Sequence, residues 1–347
     1  AINLFAVPVA KGSSPMRVTD ESASLSARKD KETGLITISY SDPHQPSDIY
    51  LATMKTLTNR KKWVKLTDSN SQVKNFSLAE YENISWKSTD GQTVEGILVY
   101  PLNYEQGKRY PLIVQIHGGP ASAYTHSFSG SYGTYTHVFA ANGYAVFQPN
   151  YRGSSGYGEK FRMEIAGDYF RQAFDDIMSG VDYLIERGIA DPEKLGMMGW
   201  SAGGHWSNWT LVSTDRFKAI STGAGAVNWI SLYAQTDMQD PREFYFKGKP
   251  YDNWNHYLDV SPLKYIKKAK TPTLIHFGEK DRRIPKPQGD ELHMALKKLG
   301  VPTEFIVYPE MPHGLENPRY QLVKMEAEFS WFEKWIRGKE GWLDWKE

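Results

Sequence analysis

The sequence predicts an α/β fold, in which a mostly parallel sheet is flanked by helices and preceded by shorter antiparallel strands. Near-continuous apolar stretches such as Leu112–Ile116 and Leu274–Phe277 are typical of strands that are buried on both faces. Amphipathic stretches of helical period alternate with these strands. The predicted helices are Phe174–Arg187, Pro287–Leu299 and Tyr320–Arg337.

The first eighty residues have a different sequence pattern, in which apolar and polar residues alternate over short runs. The runs are separated by turns rich in Gly, Pro, Asn, Asp and Ser, which indicates an antiparallel sheet of sandwich or propeller type. The predicted strands are Asn3–Val9, Leu35–Tyr40, Asp48–Met54 and Trp63–Leu66. The chain of 347 residues also exceeds the roughly 100–200 residues of one domain. We therefore predict a β domain over residues 1–80 and an α/β domain over residues 81–347.

Composition excludes several classes of function. Lys and Arg total 41 against 40 Asp and Glu, so the chain has no basic surplus for nucleic acid. The apolar runs are far shorter than the about 20 residues that span a bilayer, so no membrane partner is expected. The absence of cysteine excludes disulfides and thiol catalysis. No metal cluster, phosphate loop or nucleotide motif appears, so no cofactor is expected, and the compartment (cytoplasmic or exported) stays open.

A G-x-S-x-G pattern, Gly199-Trp-Ser-Ala-Gly203, follows the short apolar run Leu195–Met198. In an α/β-hydrolase this pattern places the serine on a sharp turn between a strand and a helix, and the glycines let the turn close without clashes. The helix that follows directs its amide groups and its positive end toward the serine. Ser201 is therefore the predicted nucleophile of a serine hydrolase.

A second glycine-rich loop, His117-Gly-Gly-Pro120, follows the buried strand that ends at Ile116. In α/β-hydrolases the loop at this position donates a backbone amide to the oxyanion hole, and glycine lets the backbone approach closely. We assign the amides of Gly119 and Ala202 to the hole, with Gly118 as an alternative to Gly119. His117 precedes the nucleophile, which is the wrong chain order for the base.

In this fold the acid and then the histidine follow the nucleophile along the chain. Asp281 lies on the loop after the strand Pro272–Phe277, and Glu279 is its competitor nearer the strand end. His313 lies on the loop after the strand Thr303–Tyr308, free to turn toward the serine. The remaining candidates, His276 within a strand and His293 on a helix, are interpreted as structural. The predicted triad is therefore Ser201, Asp281 and His313.

In these motifs the chain resembles the prolyl oligopeptidase family, and most of all its acylaminoacyl-peptidase and dipeptidyl-peptidase branches. The resemblance covers residues 81–337 and rests on the segments Asp90–Gly96, His117–Pro120, Asn150–Gly158, Asp191–Leu195, Asp281–Pro285 and Pro312–Gly314. It implies a peptidase that forms an acyl-enzyme, and a β-propeller before the α/β-hydrolase domain. Residues 1–80 would then be the last one or two blades of that propeller in a longer protein. The alternative is a short hydrolase with a small β appendage.

The sequence gives weaker evidence for substrate specificity than for the catalytic residues. By position, Trp229, Leu232 and Ile284 resemble the walls of the family's first specificity pocket, which implies an apolar residue on the acyl side of the cleaved bond. Each is equally well explained as core. Arg152 either pairs with a substrate carboxylate or forms a structural ion pair.

His117 stands where the prolyl oligopeptidase and dipeptidyl-peptidase branches carry an oxyanion-stabilising tyrosine, which argues against strict post-proline dipeptidyl cleavage. The expected partner is a peptide or small ester, and a homo-oligomer is possible. A carboxylesterase is the alternative function, because ester and amide cleavage use the same triad. A catalytically silent interaction module would require a missing triad member, and none is missing.

Overall fold

The computed structural model describes residues 1–8 and 12–339. The chain divides into two compact units. The first consists of Ala1–Tyr81 and Thr125–Gly130, and the second consists of Glu82–Tyr124 and Ser131–Glu347. Along the chain, Thr125–Gly130 lies between two parts of the second unit, but its residues are grouped with the first unit. No helix in the described part of the chain is both long and apolar enough to cross a bilayer.

The first unit is built from short antiparallel strands. Its described strands are β1 (Phe5–Ala6), β2 (Met16–Arg17), β3 (Ser24–Lys29), β4 (Ile36–Asp42), β5 (Gln45–Ala52) and β6 (Val64–Lys65). The last four form one sheet in the order β3-β4-β5-β6, and β1 pairs separately with β2. Strand β4 continues to Asp42 and β5 begins at Gln45, so the turn between them is short. Inside this unit, the rings of Tyr40, Tyr50 and Trp63 pack edge to face at centroid distances of 5.9–6.3 Å.

The second unit is organised around one twisted sheet, with eight strands among the described residues. They are β7 (Tyr81–Lys87), β8 (Thr93–Val99), β9 (Tyr110–Ile116), β10 (Ala145–Asn150), β11 (Ala190–Trp200), β12 (Ala219–Gly223), β13 (Thr273–Gly278) and β14 (Thr303–Tyr308). Their spatial order is β14-β13-β12-β11-β9-β10-β8-β7. All pairs from β14 to β10 are parallel, whereas β8 pairs antiparallel with β10. This topology confirms the predicted α/β class.

Helices connect the parallel strands, as parallel pairing requires. They are α1 (Thr136–Ala141), α2 (Glu159–Met163), α3 (Arg171–Glu186), α4 (Ala202–Ser213), α5 (Trp229–Gln235), α6 (Gln239–Phe246), α7 (Trp254–Asp259), α8 (Pro287–Leu299) and α9 (Pro318–Arg337). Helices α3, α4, α8 and α9 pack against the sheet. The centre of the sheet is completely buried, including Leu112, Val114, Met197 and Ile220. Because β9, β11, β13 and β14 are parallel, their carboxyl ends lie at the same edge of the sheet. Ligand-binding and catalytic loops lie at this edge in sheets of this type.

Candidate active site

Ser201 occupies a sharp turn between the end of β11 at Trp200 and the start of α4 at Ala202. Its backbone has φ 60° and ψ −122°, a conformation that a residue with a Cβ rarely adopts. The turn is held by a hydrogen bond from the Ser201 amide to the carbonyl oxygen of Gly223, at 2.9 Å. The side chain is thereby lifted out of the strand at the carboxyl edge of the sheet.

The glycines of the motif are required because the backbone passes so close to its neighbours. A Cβ on Gly203 would lie 2.2 Å from the carbonyl oxygen of Ile116, and one on Gly199 would lie 2.5 Å from the carbonyl carbon of Gly203. Both distances are far below van der Waals contact. The backbone of the nucleophile turn therefore packs directly against the backbone at the end of β9, with no room for a side chain at either glycine. This explains why glycine stands two residues before and two residues after Ser201.

The three predicted triad residues meet at this edge. The Nε2 atom of His313 lies 2.9 Å from the Ser201 hydroxyl oxygen, and its Nδ1 atom lies 2.7 Å from the Asp281 Oδ2 atom. The residues are separated by 80 and 32 positions along the chain, so only the parallel strands bring them together. An imidazole bridged in this way can remove the serine proton through Nε2, while the carboxylate holds the Nδ1 proton.

Asp281 is placed by its own loop. Its Oδ1 atom accepts hydrogen bonds from the amides of Arg283 (2.8 Å) and Ile284 (2.9 Å), which leaves Oδ2 for the histidine. The side chain of Asp281 is fully buried, and that of His313 is one quarter exposed. The carboxylate is thus fixed on three sides, whereas the imidazole keeps an open face toward incoming groups.

The competing acids bond elsewhere. Glu279 accepts a hydrogen bond from the amide of Glu310 (2.9 Å), and the Glu310 carboxylate pairs with Lys280. His313 therefore contacts the acid that was predicted from loop position rather than either glutamate.

The oxyanion-hole candidates border the nucleophile. A Cβ on Gly118 would lie 3.5 Å from the Ser201 Cβ and 3.2 Å from the Trp200 carbonyl oxygen. Gly119 has φ 122°, which only glycine adopts readily, and Ala202 is the first residue of α4. The loop and the helix start thus lie on either side of Ser201, and the amide roles of Gly118, Gly119 and Ala202 stay predictions.

The other histidines of this region are built into the interior. His117 stacks on Tyr151 (centroids 4.5 Å apart, planes at 14°), and its Nδ1 lies 2.8 Å from the Gly118 carbonyl oxygen. Burial lowers the pKa of His117 to about 4, so the ring is neutral at physiological pH. His276 is fully buried in β13, with its Nδ1 2.9 Å from the Tyr308 hydroxyl. Neither histidine contacts Ser201.

Trp200 is a site residue that sequence reasoning missed. Its indole N–H donates to the backbone carbonyl of His313 at 2.8 Å, and its ring packs against Tyr132 edge to face at 5.6 Å. The residue before the nucleophile therefore holds the loop that carries the histidine. Its position inside the motif was a usable signal, but nothing in the sequence showed which way the indole points.

The predicted specificity pocket is not open in the structure. Trp229 exposes 1% of its surface, and Leu232 and Ile284 expose none. In this structure α5 and the segment after Asp281 pack these three side chains inward. The apolar pocket with these walls stays a prediction.

Arg152 takes its structural alternative. Its side chain is 3% exposed, and it binds the fully buried Asp176 through Nη2–Oδ1 at 2.6 Å and through Nε. Its Nη1 donates to Asp90, and its backbone amide donates to Asp176 at 2.8 Å. The guanidinium is thus bound within the protein. Of the two alternatives the structure shows the ion pair, and pairing with a substrate carboxylate stays a prediction.

No group of three or more His, Asp or Glu side chains in the described ranges is arranged to hold a metal ion. The donors and acceptors around Ser201 are those of acyl transfer through a serine.

Comparison with known proteins places this geometry in a family. The model of the prolyl oligopeptidase family (Peptidase_S9) matches residues 130–339. The uncharacterized peptidase YuxL of Bacillus subtilis is 35% identical over 302 residues, which cover 85% of this chain and 45% of YuxL. Dipeptidyl-peptidase 5 of Porphyromonas endodontalis is 31% identical over 255 residues, covering 72% of this chain and 37% of that protein.

A solved structure of similar fold is the acylaminoacyl peptidase of Pyrococcus horikoshii. It superimposes with a TM-score of 0.85 at 26% identity, and the match covers 96% of this chain and 52% of that one. The chain spans about half the length of these proteins, or less. Because the family model covers more than half of the chain, the chain belongs to the prolyl oligopeptidase family.

Proposed function

We propose that this chain carries the catalytic centre of a serine peptidase that hydrolyses peptide bonds of short peptides. The observation that carries the proposal is the His313 ring, which lies within hydrogen-bonding distance of both the Ser201 hydroxyl (2.9 Å) and the Asp281 carboxylate (2.7 Å). A serine hydroxyl is a weak nucleophile without an adjacent base, and this arrangement supplies one.

In the proposed reaction the Ser201 oxygen attacks the peptide carbonyl carbon while the Nε2 atom of His313 takes the serine proton. The carbonyl oxygen becomes an oxyanion, which the amides of Gly119 (or Gly118) and Ala202 stabilise. Collapse breaks the C–N bond, and His313 returns the proton to the leaving amine. A water molecule, deprotonated by His313, then releases the acyl group from Ser201. Each amide of the hole would contribute about 3 kcal/mol to the barrier reduction.

A carboxylesterase would use the same residues, so geometry alone does not separate the two functions. The names of the similar proteins favour the peptidase, since they describe peptidases, dipeptidyl-peptidases and acylaminoacyl peptidases. The apolar acyl-side preference predicted from sequence is not part of the proposal, because Trp229, Leu232 and Ile284 expose almost no surface.

We also propose that the first unit represents propeller structure. The sheet β3-β4-β5-β6 has four antiparallel strands, which is the composition of a propeller blade. The proposed domains remain residues 1–80 and 81–347. Within the second, the segment Thr125–Gly130 is grouped with the first compact unit.

The function is tested with a fluorophosphonate probe and a panel of coumarylamide peptides. Ser201→Ala should abolish both labelling and amide hydrolysis without changing the circular dichroism spectrum. The control, Ser213→Ala, removes a hydroxyl at the exposed end of the same helix and should leave both signals intact. Labelling that persists in Ser201→Ala would place the nucleophile elsewhere. Ester turnover with no amide turnover in the full protein would favour the esterase.

A further inference from the structure

Two charged side chains of helix α9, Lys324 and Glu328, lie inside the protein. They are one helical turn apart and expose 2% and 1% of their side-chain surface, and the Lys324 Nζ atom lies 2.6 Å from the Glu328 Oε2 atom. Burial lowers the pKa of Lys324 to about 7 and raises the pKa of Glu328 well above its ordinary value. A buried ion pair is often no more stabilising than apolar residues of the same volume, because both charges must leave water. The contacts of the two side chains indicate a role other than stability.

Glu328 connects the pair to the sheet. Its Oε1 atom accepts a hydrogen bond from the Ser221 hydroxyl on β12 at 2.6 Å. Its Oε2 atom accepts hydrogen bonds from the Lys324 Nζ atom and from the hydroxyl of Tyr135, the residue before α1. Three donors on one buried carboxylate leave it little freedom to move. The position of the Lys324 ammonium group is therefore fixed relative to the sheet.

The Lys324 ammonium group contacts two aromatic residues. Its Nζ atom donates to the backbone carbonyl oxygen of Tyr132 at 3.1 Å and lies 5.7 Å from the centroid of the Trp200 ring. A cation at this distance is attracted to the face of an indole ring. The Tyr132 and Trp200 rings also pack edge to face against each other. Lys324 therefore restrains both members of this aromatic pair.

Both aromatic residues contact the loop that carries the histidine of the triad. Trp200 donates its indole N–H to the backbone carbonyl oxygen of His313 at 2.8 Å. The Tyr132 hydroxyl lies against Gly314, where a Cβ would come 3.4 Å from the hydroxyl oxygen. The loop is thus held by two residues that Lys324 itself restrains.

We propose that Lys324, held in place by Glu328, is a positioning residue for the loop that carries His313. It acts through Tyr132 and Trp200 rather than on the reacting atoms. This role rests on the proposed peptidase function, because it concerns the orientation of the histidine of the triad. An apolar side chain of similar length would fill the same space but would leave the Tyr132 carbonyl oxygen without its donor. The fraction of enzyme with His313 in hydrogen-bonding distance of both its partners should then fall.

The test measures kcat, KM and the rate of fluorophosphonate labelling for Lys324→Met in the full protein. Rates are expressed per mole of folded enzyme, with the folded fraction taken from urea unfolding. We expect kcat and the labelling rate to fall about tenfold or more, because a hydrogen bond from a charged donor is lost. KM should stay within about twofold, because the contact is internal to the protein. A kcat within about twofold of the wild-type value would overturn the positioning role.

Helix α9 provides a matched control in its other buried glutamate. The side chain of Glu333 is 1% exposed, and Arg337 is paired with it at 3.1 Å. Arg337 also donates to the carbonyl oxygens of Asn142 and Gly143, near the amino end of β10 and therefore at the edge of the sheet away from the triad. Arg337→Met should lower the free energy of unfolding, as Lys324→Met does, but keep kcat within about twofold of the wild-type value. Equal losses of kcat in the two variants would show a general effect of weakening α9 and would overturn the proposal.

A double variant tests whether Lys324 acts through Trp200. Lys324→Met should lower kcat by a smaller factor in Trp200→Phe than in the wild type, because the indole hydrogen bond to the loop is already absent there. A loss of stability without a positioning role would lower kcat by the same factor in both backgrounds. Fully additive losses would therefore overturn the proposed connection.

A further variant covers the case in which Lys324→Met does not fold. Lys324→Met combined with Glu328→Gln removes both charges, so no unpaired charge stays buried. The amide oxygen introduced at position 328 can still accept from the hydroxyl of Tyr135 or Ser221. This variant also lacks the donor for the Tyr132 carbonyl oxygen and should show the same loss of kcat. If its kcat is unchanged, or if neither variant folds, the pair serves the fold and the positioning role is wrong.

The two proposals fail in different ways. If the wild type is labelled at Ser201 and hydrolyses amides while Lys324→Met keeps its kcat, only the positioning role is wrong. If the wild type shows neither labelling nor hydrolysis, the proposed function itself fails.

Discussion

Replacing Trp200 with Phe removes one hydrogen bond and keeps an aromatic ring next to the nucleophile. The lost bond is the 2.8 Å contact from the indole N–H to the carbonyl oxygen of His313. The variant keeps the ring that packs against Tyr132, so the turn at Ser201 should still form. The perturbation therefore acts on the loop that carries the histidine rather than on the nucleophile.

The magnitude follows from leaving a partly enclosed carbonyl without its donor. Such a loss costs about 1–2 kcal/mol, which corresponds to a population change of about 5- to 30-fold. If the loop populates other conformations by that ratio, the fraction of enzyme with His313 on both Ser201 and Asp281 falls accordingly. We expect kcat to fall about 5- to 30-fold. KM should change little, because the contact is internal to the protein.

The assay is steady-state kinetics on one coumarylamide together with the rate of fluorophosphonate labelling, since both depend on proton removal from Ser201. The matched control is Trp209→Phe in helix α4, whose ring packs against Phe170 and Tyr265 rather than against the loop that carries His313. The control loses the same ring volume and should keep kcat within about twofold. Equal losses of kcat in both variants, or a rise in KM alone for Trp200→Phe, would refute the positioning role.

Two further predictions concern stability. Asp176→Asn leaves the Arg152 guanidinium buried without its main counter-charge, so the free energy of unfolding in urea should fall by about 3–5 kcal/mol; a loss below about 1 kcal/mol would contradict the buried ion pair. For His117, burial lowers the folded-state pKa to about 4. As pH falls from 6.5 to about 4 the unfolded chain binds a proton that the folded chain does not, so the folded state loses stability over this window. The urea-unfolding free energy of the wild type should therefore drop relative to that of His117→Asn by up to about 3 kcal/mol between pH 7 and pH 4, and a constant difference would show that the ring is not buried neutral.

Much of the second unit was predictable because local signals agree with the tertiary structure. Helix α8 and strand β14 begin and end as predicted, at Pro287–Leu299 and Thr303–Tyr308. Proline opens the helix, and Gly300 closes it with a left-handed backbone (φ 72°). The three short helices α5, α6 and α7 were not predicted, since six to eight residues carry too few turns for a helical period to show.

The order of the triad residues along the chain was likewise a sequence property. A strand, a strained turn and a helix must surround the nucleophile, and the acid and the base must then follow later strands. These constraints act through local backbone geometry and parallel strand pairing, and both leave marks in the sequence. Ser201, Asp281 and His313 could therefore be proposed from the sequence, and their distances could not.

Burial and partnership were decided by tertiary structure alone. Trp229 was an equally good candidate for pocket and for core, and only the packing of α5 encloses it. Arg152 was a candidate for a substrate carboxylate and for a structural ion pair, and only the fold brings the Asp176 carboxylate within 2.6 Å of its guanidinium. Whether a charge is paired depends on residues distant in sequence that arrive, or fail to arrive, within about 4 Å of it. By itself the sequence determined which residues are available for catalysis. The fold decided which of them come within hydrogen-bonding distance of one another, because that distance depends on residues far apart in the sequence.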